Sequence, residues 1–549
     1  MHCLVFEVNS IQSFIFATGR LRDAIGGSEL IDLLTNADAQ DNLLDNVLRA
    51  SESKDRIEFS RRAGGAFYAF SADGAALERF GALWMLAFQQ WAPGLGFVLG
   101  RGQGQNMPEA FHRALAHSRS QFSRERPLHP VAAPVAERAA RTGRVAVGRS
   151  RKDGSIDAAT QRQKQFADLS RAGFIERYSP QEAELGWRDW PRNLEPDAED
   201  AEGGFPFPQG LRDVALIRAD GNGMGKVLIR LGETVKKRPD DFLKIYQTFS
   251  KAIDASTCAA AQQATREVLM PMRRNGELLA ARPILLGGDD VIVLVRADLA
   301  LAYVQSFARA FEQESERQLE ALSHLGVDGL PQRLTVGFGI AFIGASQPFS
   351  MASHLATSIM EHAKTQAKRT LDANEAIAPS SVAFHRVTTA LADDYDSAVK
   401  NVMTHRDGSH CYTHTLGTYA VLDDTTGRLP RLADLNAFVA LLQGEGMARG
   451  PLRALLSLLQ LDPAQARASW RRWRQLMHDT RRDLEDFDAC MARLMPGYDP
   501  KAELPYVRIP GDSGEQEKVH LSPLGDALDL LSLQTMPLQA IAQRESVVV

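Results

Sequence analysis

A glycine-rich turn between two apolar runs is the feature that most limits how this 549-residue chain can fold. Residues 283–286 and 291–295 are apolar and rich in branched side chains, as in buried β-strands. The turn between them consists of Gly287, Gly288, Asp289 and Asp290. Glycine permits the positive φ angles of a tight hairpin and lets a bulky phosphate group approach the backbone. The sequence therefore predicts a β-hairpin whose tip carries two carboxylates, which suit Mg²⁺ shared with nucleotide phosphates.

A second strand with an acid at its end lies upstream of this hairpin. The apolar run 214–219 ends at Asp220, and a helical pattern begins a few residues later. The turn between them contains Gly221, Asn222, Gly223 and Gly225. If the two strands lie side by side, Asp220 meets the hairpin acids, and the backbone N–H groups of the turn can cradle phosphate oxygens. We therefore expect metal and phosphate to share one pocket.

Two lysines downstream have the spacing of neighbours on one helix face. Residues 334–342 are typical of another buried strand, and the helix expected from about residue 350 carries Lys364 and Lys368. Side chains four residues apart project from the same face, where two ammonium groups can neutralise a triphosphate. A solvated surface pair accounts for the spacing equally well.

This order of elements resembles the palm domain of nucleotide cyclases and related polymerases. Within that superfamily, the Gly-Gly-Asp-Asp turn is most similar to the large polymerase-cyclase subunit of type III CRISPR effector complexes. Diguanylate cyclases usually carry Gly-Gly-Asp/Glu-Glu-Phe there. Residues 4–16 and 20–31 also resemble the opening of that family's first palm. The resemblance implies an α+β fold with two ferredoxin-like palm domains, a connector and a C-terminal helical domain.

The chain also repeats itself, as expected for a duplicated palm. Glu7 precedes the glycine pair Gly64 and Gly65 much as Asp220 precedes Gly287. By this alignment Ala66 and Phe67 take the places of Asp289 and Asp290, so we expect the first palm to hold metal poorly. The residues expected to line its acceptor nucleotide site are Gly26, Gly27, Ser28, Gly64 and Gly65. A palm kept only for packing is the alternative.

Changes of composition predict where the domains begin and end. We expect a first palm at 1–115, a connector at 116–205, a second palm at 206–385 and a helical domain at 386–549. The connector is locally basic at residues 137–152 and ends in an acidic, glycine-terminated segment at 195–204. Apolar residues at helical spacing recur between residues 432 and 494.

The overall composition is that of an ordinary globular protein. Apolar residues make up 44%, charged residues 24%, and the net charge is −5. Such a balance argues against a uniformly basic nucleic-acid coat, so RNA contacts must come from local patches or partner subunits. No run reaches the length needed to cross a bilayer and no leader pattern precedes the first strand, so we expect a cytoplasmic protein without a membrane partner.

The cysteines and histidines give little sign of a metal site. Four cysteines occur, at Cys3, Cys258, Cys411 and Cys490, without a Cys-x-x-Cys motif. The mixed cluster of His405, His410, Cys411 and His414 fits no zinc signature firmly. Similar family members carry a cysteine-ligated zinc in the connector and a His-Asp nuclease domain before the first palm. We expect a variant that lacks both.

The resemblance implies an enzyme that converts ATP to a cyclic oligoadenylate second messenger in RNA-guided antiviral defence. In this interpretation Asp220, Asp289 and Asp290 hold Mg²⁺ or Mn²⁺, while the glycine turns and the two lysines bind nucleotide. Other effector subunits and a guide RNA are the implied partners, and target RNA is the implied activator. A non-catalytic scaffold subunit and a GTP-using dinucleotide cyclase are the alternatives.

Overall fold

The mixed α+β architecture expected from the sequence is confirmed in the computed structural model, where helices alternate with several sheets. The structure describes residues 1–37, 39, 41–122, 133–167, 174–194, 203–208, 211–274, 276–371, 377–388, 392, 394–422, 427–477, 481–509 and 518–533. Residues 195–202, most of the acidic segment expected to be a linker, lie outside the described residues.

The N-terminal region folds as a βαββαβ unit around an antiparallel sheet in the order β2-β3-β1-β4. Its elements are β1 (His2–Asn9), α1 (Ile11–Ile15), α2 (Leu21–Thr35), α3 (Leu43–Ala50), β2 (Glu58–Ala63), β3 (Ala66–Ser71), α4 (Gly74–Trp91), β4 (Gly96–Gln103) and α5 (Met107–Phe122). Phe6 lies at the centre of its core, with ring centroids 5.3 Å from Phe67 and 5.0 Å from Trp84. Aromatic pairs in these offset and edge-on arrangements stabilise a core beyond their buried area.

A small connector follows and packs against the first palm. It contains β5 (Gly148–Ser150), β6 (Gly154–Ile156) and α6 (Ala158–Phe166). The Asp157 side chain caps α6 by accepting a hydrogen bond from Thr160 N at 2.9 Å. Such a cap contributes about 1 kcal/mol to a helix of this kind. The connector thereby holds a helix against α2.

The middle region folds as a second βαββαβ unit with an added strand. Its elements are β7 (Asp213–Asn222), α7 (Met224–Lys237), α8 (Phe242–Ala264), β8 (Ala281–Gly287), β9 (Asp290–Arg296), α9 (Ala300–His324), β10 (Thr335–Gly344), α10 (Phe349–Arg369) and β11 (Ser381–Arg386). The sheet contains the order β11-β10-β7-β9-β8. Because β9 and β10 are buried along almost their whole length, their sequences are continuous apolar runs rather than alternating ones.

The two regions are structural copies of one another. The strand order β8-β9-β7-β10 repeats the order β2-β3-β1-β4. A side-chain carbon added at Gly100 would lie 2.1 Å from the carbonyl oxygen of Ala114, and one added at Gly339 would lie 2.2 Å from that of Ala356. In each copy, therefore, the last strand has a glycine that lets the following helix lie directly on the sheet. The expected duplication of the palm is confirmed.

The strand register corrects one detail of the expected alignment between the copies. Gly287 pairs with Asp290 across the second hairpin, and Ala63 pairs with Ala66 across the first. Gly65 and Ala66, rather than Ala66 and Phe67, therefore correspond to Asp289 and Asp290. The sequence alignment slipped by one residue because it matched the glycine pairs rather than the turn geometry. The first hairpin lacks acids in either alignment.

The C-terminal region is helical, as expected, but it also contains several short strands. Its elements are α11 (Tyr395–Ala398), β12 (Thr404–Asp407), β13 (His410–Thr413), β14 (Tyr419–Ala420), α12 (Leu432–Gln443), α13 (Arg449–Leu461), α14 (Pro463–Met477), α15 (Arg481–Leu494), β15 (Val507–Arg508), β16 (Lys518–Leu521) and α16 (Leu524–Leu533). A sheet joins them in the order β12-β13-β16-β15, while β14 pairs with β11 of the second palm. These strands are too short for a period of two residues to be recognised.

The histidines and cysteines of this region have structural contacts. A ring nitrogen of His410 lies 2.9 Å from one of His520, and His414 bonds to the hydroxyl of Tyr506. Cys411 is a buried free thiol. In the described part of the chain, no helix has the length and apolar character of a bilayer span.

Candidate active site

The central strands of the second palm bring the predicted acids together. Strands β7 and β9 are antiparallel neighbours whose last paired residues are Ala219 and Val291, so the next position on each places Asp220 beside Asp290. A side-chain carbon added at Gly221 would lie 3.1 Å from the Cβ atom of Asp289. Asp220, Asp289 and Asp290 therefore converge at one end of the sheet, although Asp220 is about 70 residues distant in sequence.

The acidic hairpin turn is held in place from two sides. Gly288 has a φ angle of 66°, which is the left-handed conformation that glycine adopts without strain. Its carbonyl oxygen accepts a hydrogen bond of 2.6 Å from the Thr257 hydroxyl on α8. On the other side, Arg177 of the connector donates to the carbonyl oxygen of Leu286 at 3.1 Å and forms an ion pair with Asp32 of α2. Arg177 thus joins the turn to the first palm, a role that no sequence motif indicated.

The environment of the hairpin acids makes their ionisation difficult. Burial, together with the nearby charges of Asp220 and Asp290, raises the pKa of Asp289 to about 6. Burial also raises the pKa of Asp290 to about 6, with the charge of Asp220 adding to the rise and Arg218 opposing it. Crowded carboxylates of this kind are stabilised in their charged form by any cation that binds between them.

Arg218 is a buried partner of this cluster that the sequence analysis did not identify. Its Nη2 atom lies 3.1 Å from each carboxylate oxygen of Asp290, and its geometry gives a hydrogen bond to Oδ2. The Oδ1 atom of Asp290 is buried without a hydrogen-bond partner. The signal was present in the sequence as a charged residue inside an otherwise apolar strand.

Lys364 reaches Asp220, whereas Lys368 does not. The Lys364 ammonium group forms an ion pair with Asp220 and donates to the carbonyl oxygen of Gly221 at 3.0 Å. Lys368 is exposed, one turn further along α10. Of the two lysines predicted to act together, Lys364 therefore contacts Asp220 and Lys368 faces solvent.

Gly337 on β10 makes room for the Lys364 side chain. A side-chain carbon added at Gly337 would lie 2.3 Å from the Cγ atom of Lys364. Because Gly337 pairs with Asp220 across the strands, the lysine passes over the glycine to reach its partner. Gly337 belongs to the site, and its signal in the sequence was a glycine within a buried strand.

The glycine-rich turn after Asp220 leads into α7. Gly223 precedes the helix with a φ angle of 85°, and Gly225 is exposed in its first turn. The free N–H groups of a helix N-terminus attract phosphate. Asn222 is buried and donates to the Thr335 hydroxyl at 3.1 Å, so this side chain contacts the neighbouring strand.

The glycine hairpins of the two palms contact each other. A side-chain carbon added at Gly64 would lie 3.6 Å from the Cα atom of Gly287, and the reverse distance is 3.5 Å. On the acid-poor side, the Tyr68 hydroxyl bonds to Glu7 and accepts a hydrogen bond of 3.3 Å from Arg61. The contact between the two hairpins therefore has carboxylates on one side and a tyrosine, an arginine and a single acid on the other.

Gly26, Gly27 and Ser28, which are predicted to line the acceptor nucleotide site, lie on a helix that packs against the connector. All three are buried inside α2 rather than in a turn. A side-chain carbon added at Gly26 would lie 1.9 Å from the carbonyl oxygen of Gln163, and one added at Gly27 would lie 3.1 Å from its Nε2 atom. Close packing against α6 explains the two glycines, and the assignment of these three residues to a nucleotide site stays a prediction.

The donor chemistry of the site suits a hard divalent cation, but the acids do not enclose one. Within the described residues, no three acidic, histidine or cysteine side chains are placed so that together they could hold a metal ion. Asp220 is paired with Lys364, and Asp290 with Arg218. The clustered carboxylates and the unbonded Asp290 oxygen provide oxygen ligands of the type that Mg²⁺ prefers. Metal binding would require Lys364 to release Asp220.

The strand order and the hairpin acids define a palm domain of the polymerase and cyclase type. Residues 213–372 match the family model of the Cas10/Cmr2 second palm domain. This segment includes Asp220, the hairpin acids and both lysines. This segment of the chain is therefore similar to the Cas10/Cmr2 second palm domain.

Several solved structures are similar to nearly the whole chain. A crystal structure of a Csm1-Csm4 cassette in complex with cA3 has 12% identity and a TM-score of 0.48, covering 97% of this chain and 69% of that one. Csm1 of T. onnurineus has 14% identity and a TM-score of 0.46, covering 97% and 70%. A Csm1-Csm4 cassette in complex with one ATP has 13% identity and a TM-score of 0.45, also covering 97% and 70%. No curated protein matches the chain.

Proposed function

We propose that this chain is a nucleotidyltransferase that converts ATP to cyclic oligoadenylate as part of a type III CRISPR effector complex. The observation that carries the proposal is the convergence of Asp220, Asp289 and Asp290 within a segment that matches the Cas10/Cmr2 second palm. A scaffold has no need for three acids at one place, since crowded carboxylates oppose each other's ionisation.

The three acids are proposed to hold Mg²⁺ or Mn²⁺. When bound, the metal would lower the pKa of an attacking 3′-hydroxyl and stabilise charge on the α-phosphate. Arg218 keeps Asp290 ionised and oriented, because its guanidinium is buried beside that carboxylate. Lys364 leaves Asp220 for the phosphates of ATP, and the first turn of α7 donates backbone N–H groups to the same phosphates.

The contact between the hairpins of the two palms supports a two-nucleotide site. Gly64 of the first palm lies against Gly287 of the turn that carries the acids, and Gly65 follows it in the same hairpin. We assign the acceptor nucleotide to this side, which lacks hairpin acids and so binds without activating its own phosphate. The small glycine residues leave the backbone of both turns accessible to ligand.

A scaffold subunit is the second candidate, favoured by one observation. Asp220 and Asp290 already have cationic partners, Lys364 and Arg218, so the acids form ion pairs without any metal. Relatives of known structure are found with Csm4. In this candidate function the chain would assemble with other effector subunits and a guide RNA without turning over nucleotide.

Labelled ATP with Mg²⁺ or Mn²⁺, with and without target RNA, distinguishes the two candidates. The proposal predicts product from the wild-type complex and none from the variant Asp289→Ala with Asp290→Ala. The matched control removes the neighbouring acids Asp240 and Asp241, which lie between α7 and α8 in the same domain. Equal product from the hairpin variant would refute the assignment, as would co-purification with partners and RNA without any turnover by the wild type.

A further inference from the structure

A strongly basic cavity, separate from the carboxylate site, lies where the first palm, the connector and the second palm meet. This junction pocket has a volume of about 670 Å³. The described residues that line it include six basic ones, namely Arg20, Arg22, Arg141, Arg151, Lys152 and Lys164. The acids among them are Asp23 and Asp153, so the described lining has an excess of four positive charges. A chain with a net charge of −5 therefore concentrates positive charge in one pocket.

A buried carboxylate fixes several of these cations in place. The side chain of Asp153 is 1% exposed and has Arg20 at 2.8 Å, Arg141 at 3.0 Å and Lys164 at 2.6 Å. Lys164 also lies 3.1 Å from Asp23. Held side chains lose less freedom when a ligand binds, so the pocket is preorganised for an anion.

The N-termini of two long helices also border the junction pocket. Leu21 begins α2 and Phe349 begins α10, and both residues line the cavity. The free N–H groups and the partial positive charge at a helix N-terminus favour anions, and phosphate in particular. The helix N-termini and the basic side chains therefore both favour an anion in this pocket.

The pocket is separate from the carboxylate site, yet the same two helices connect them. Lys364 lies about 22 Å along α10 from Phe349, at 1.5 Å per residue. At the other end of α2, the Thr35 hydroxyl accepts a hydrogen bond of 3.1 Å from the backbone N–H of Gly65. The N-termini of α2 and α10 thus lie at the junction pocket, and their C-terminal parts contact the hairpin of the first palm and the acids of the second.

We propose that the junction pocket binds the phosphate groups of a nucleotide or of an RNA strand, as a site distinct from the carboxylate site. The volume is that of a small-molecule pocket, large enough for a nucleotide or a short backbone segment. Arginine forks match phosphate oxygens in two-point contacts, and four excess charges match a triphosphate or a few consecutive phosphodiesters. An apolar ligand would leave the excess positive charge of the lining without compensation.

Fluorescence anisotropy of the complete chain with a labelled eight-nucleotide RNA, in EDTA, tests the proposal. The variant Arg151→Ala with Lys152→Ala removes two exposed cations of the pocket. Its matched control, Lys236→Ala with Lys237→Ala, removes two exposed cations from the far end of α7. We expect at least a tenfold loss of affinity for the pocket variant only. For the pocket variant, the slope of log Kd against the logarithm of the salt concentration should also decrease by about 1.4, at about 0.7 per lost phosphate contact.

Competition with unlabelled ATP, again in EDTA, identifies the source of the phosphate. Displacement of the RNA by ATP from the wild type assigns the site to a free nucleotide, whereas RNA binding that ATP does not displace assigns it to a nucleic-acid strand. Lys152→Gln, which keeps most of the side chain, should reproduce part of the loss. Equal RNA and ATP binding by the wild type, the pocket variant and the control would overturn the proposal, whatever the outcome for nucleotide synthesis.

Discussion

Replacement of Asp289 by asparagine should stabilise the second palm while it abolishes catalysis. The carboxylate lies beside Asp220 and Asp290, and its pKa is raised to about 6 by burial and by these two charges. Asp289→Asn keeps the shape of the side chain and removes one of three crowded charges. Ground-state repulsion of this kind is common where a site must hold a cation.

The size of the effect follows from the shift in pKa. A rise from 3.8 to about 6 corresponds to about 3 kcal/mol at 1.36 kcal/mol per unit, as an upper limit. Because the Asp289 residue is only partly shielded from solvent, screening reduces the expected gain in the free energy of unfolding to about 1–2 kcal/mol. For a domain of this size, that gain raises the apparent unfolding temperature by about 2–8 °C at pH 7.5.

The stability difference between Asp289→Asn and the wild type should depend on pH. A carboxyl whose pKa is higher in the folded state favours folding below its unfolded pKa and loses stability as pH rises toward about 6. The advantage of Asp289→Asn should therefore grow between pH 4 and pH 6, and at pH 5 it should be about half of its value at pH 7.5.

Differential scanning fluorimetry without metal, at pH 5.0 and pH 7.5, measures this difference. Asp328→Asn, at an exposed position in the loop before β10, is the control and should change little at either pH. Added Mg²⁺ should raise the unfolding temperature of the wild type more than that of Asp289→Asn. An unchanged or lower unfolding temperature of Asp289→Asn at pH 7.5 would refute the reasoning, as would an advantage that is larger at pH 5.0.

Further predictions concern the other parts of the site. Lys364→Met should reduce the rate of nucleotide synthesis at least tenfold, because the lysine contacts Asp220, whereas Lys368→Met should reduce it less than threefold in the same assay. Gly337→Val should reduce the rate as strongly as Lys364→Met while circular dichroism stays unchanged, because the new side chain displaces the lysine. Gly26→Val should lower stability by about 1–3 kcal/mol in thermal unfolding, since it separates α2 from α6. The affinity for Mg²⁺, measured by isothermal titration calorimetry from pH 5 to pH 8, should rise through about pH 6 as the hairpin acids lose their protons, and an affinity that does not change with pH would contradict their role.

The acidic hairpin and the strand before it could be predicted from the sequence because their signals are local. The apolar run, the acid at its end and the glycine turn each occupy a few adjacent residues, and Asp220 reaches the hairpin only through the antiparallel pairing of β7 with β9. The duplication was visible because both copies keep a glycine pair. Its exact register was not, because Gly65 and Asp289 occupy the same turn position with different residue types.

Tertiary contacts distinguish functional candidates that the sequence alone leaves equivalent. The spacing of Lys364 and Lys368 does not indicate which of them reaches the acids, and only the packing of α10 over Gly337 distinguishes them. Gly26 resembles a ligand-binding glycine in sequence, but a helix from the connector lies against it. Arg177 has no motif at all, since its role depends on reaching both Asp32 and the outer strand of the hairpin. Arg177 becomes a functional candidate only when three regions of the chain are packed together.

Mass spectrometry of the products formed from an equimolar mixture of ATP and GTP tests the central claim most directly. The complex is isolated with its partner subunits and RNA, and it is given Mg²⁺. The proposed function predicts cyclic oligoadenylate from the wild type and no product from the Asp289→Ala, Asp290→Ala variant. Products that contain guanosine, products that survive this double substitution, or no product from the activated wild-type complex would contradict it.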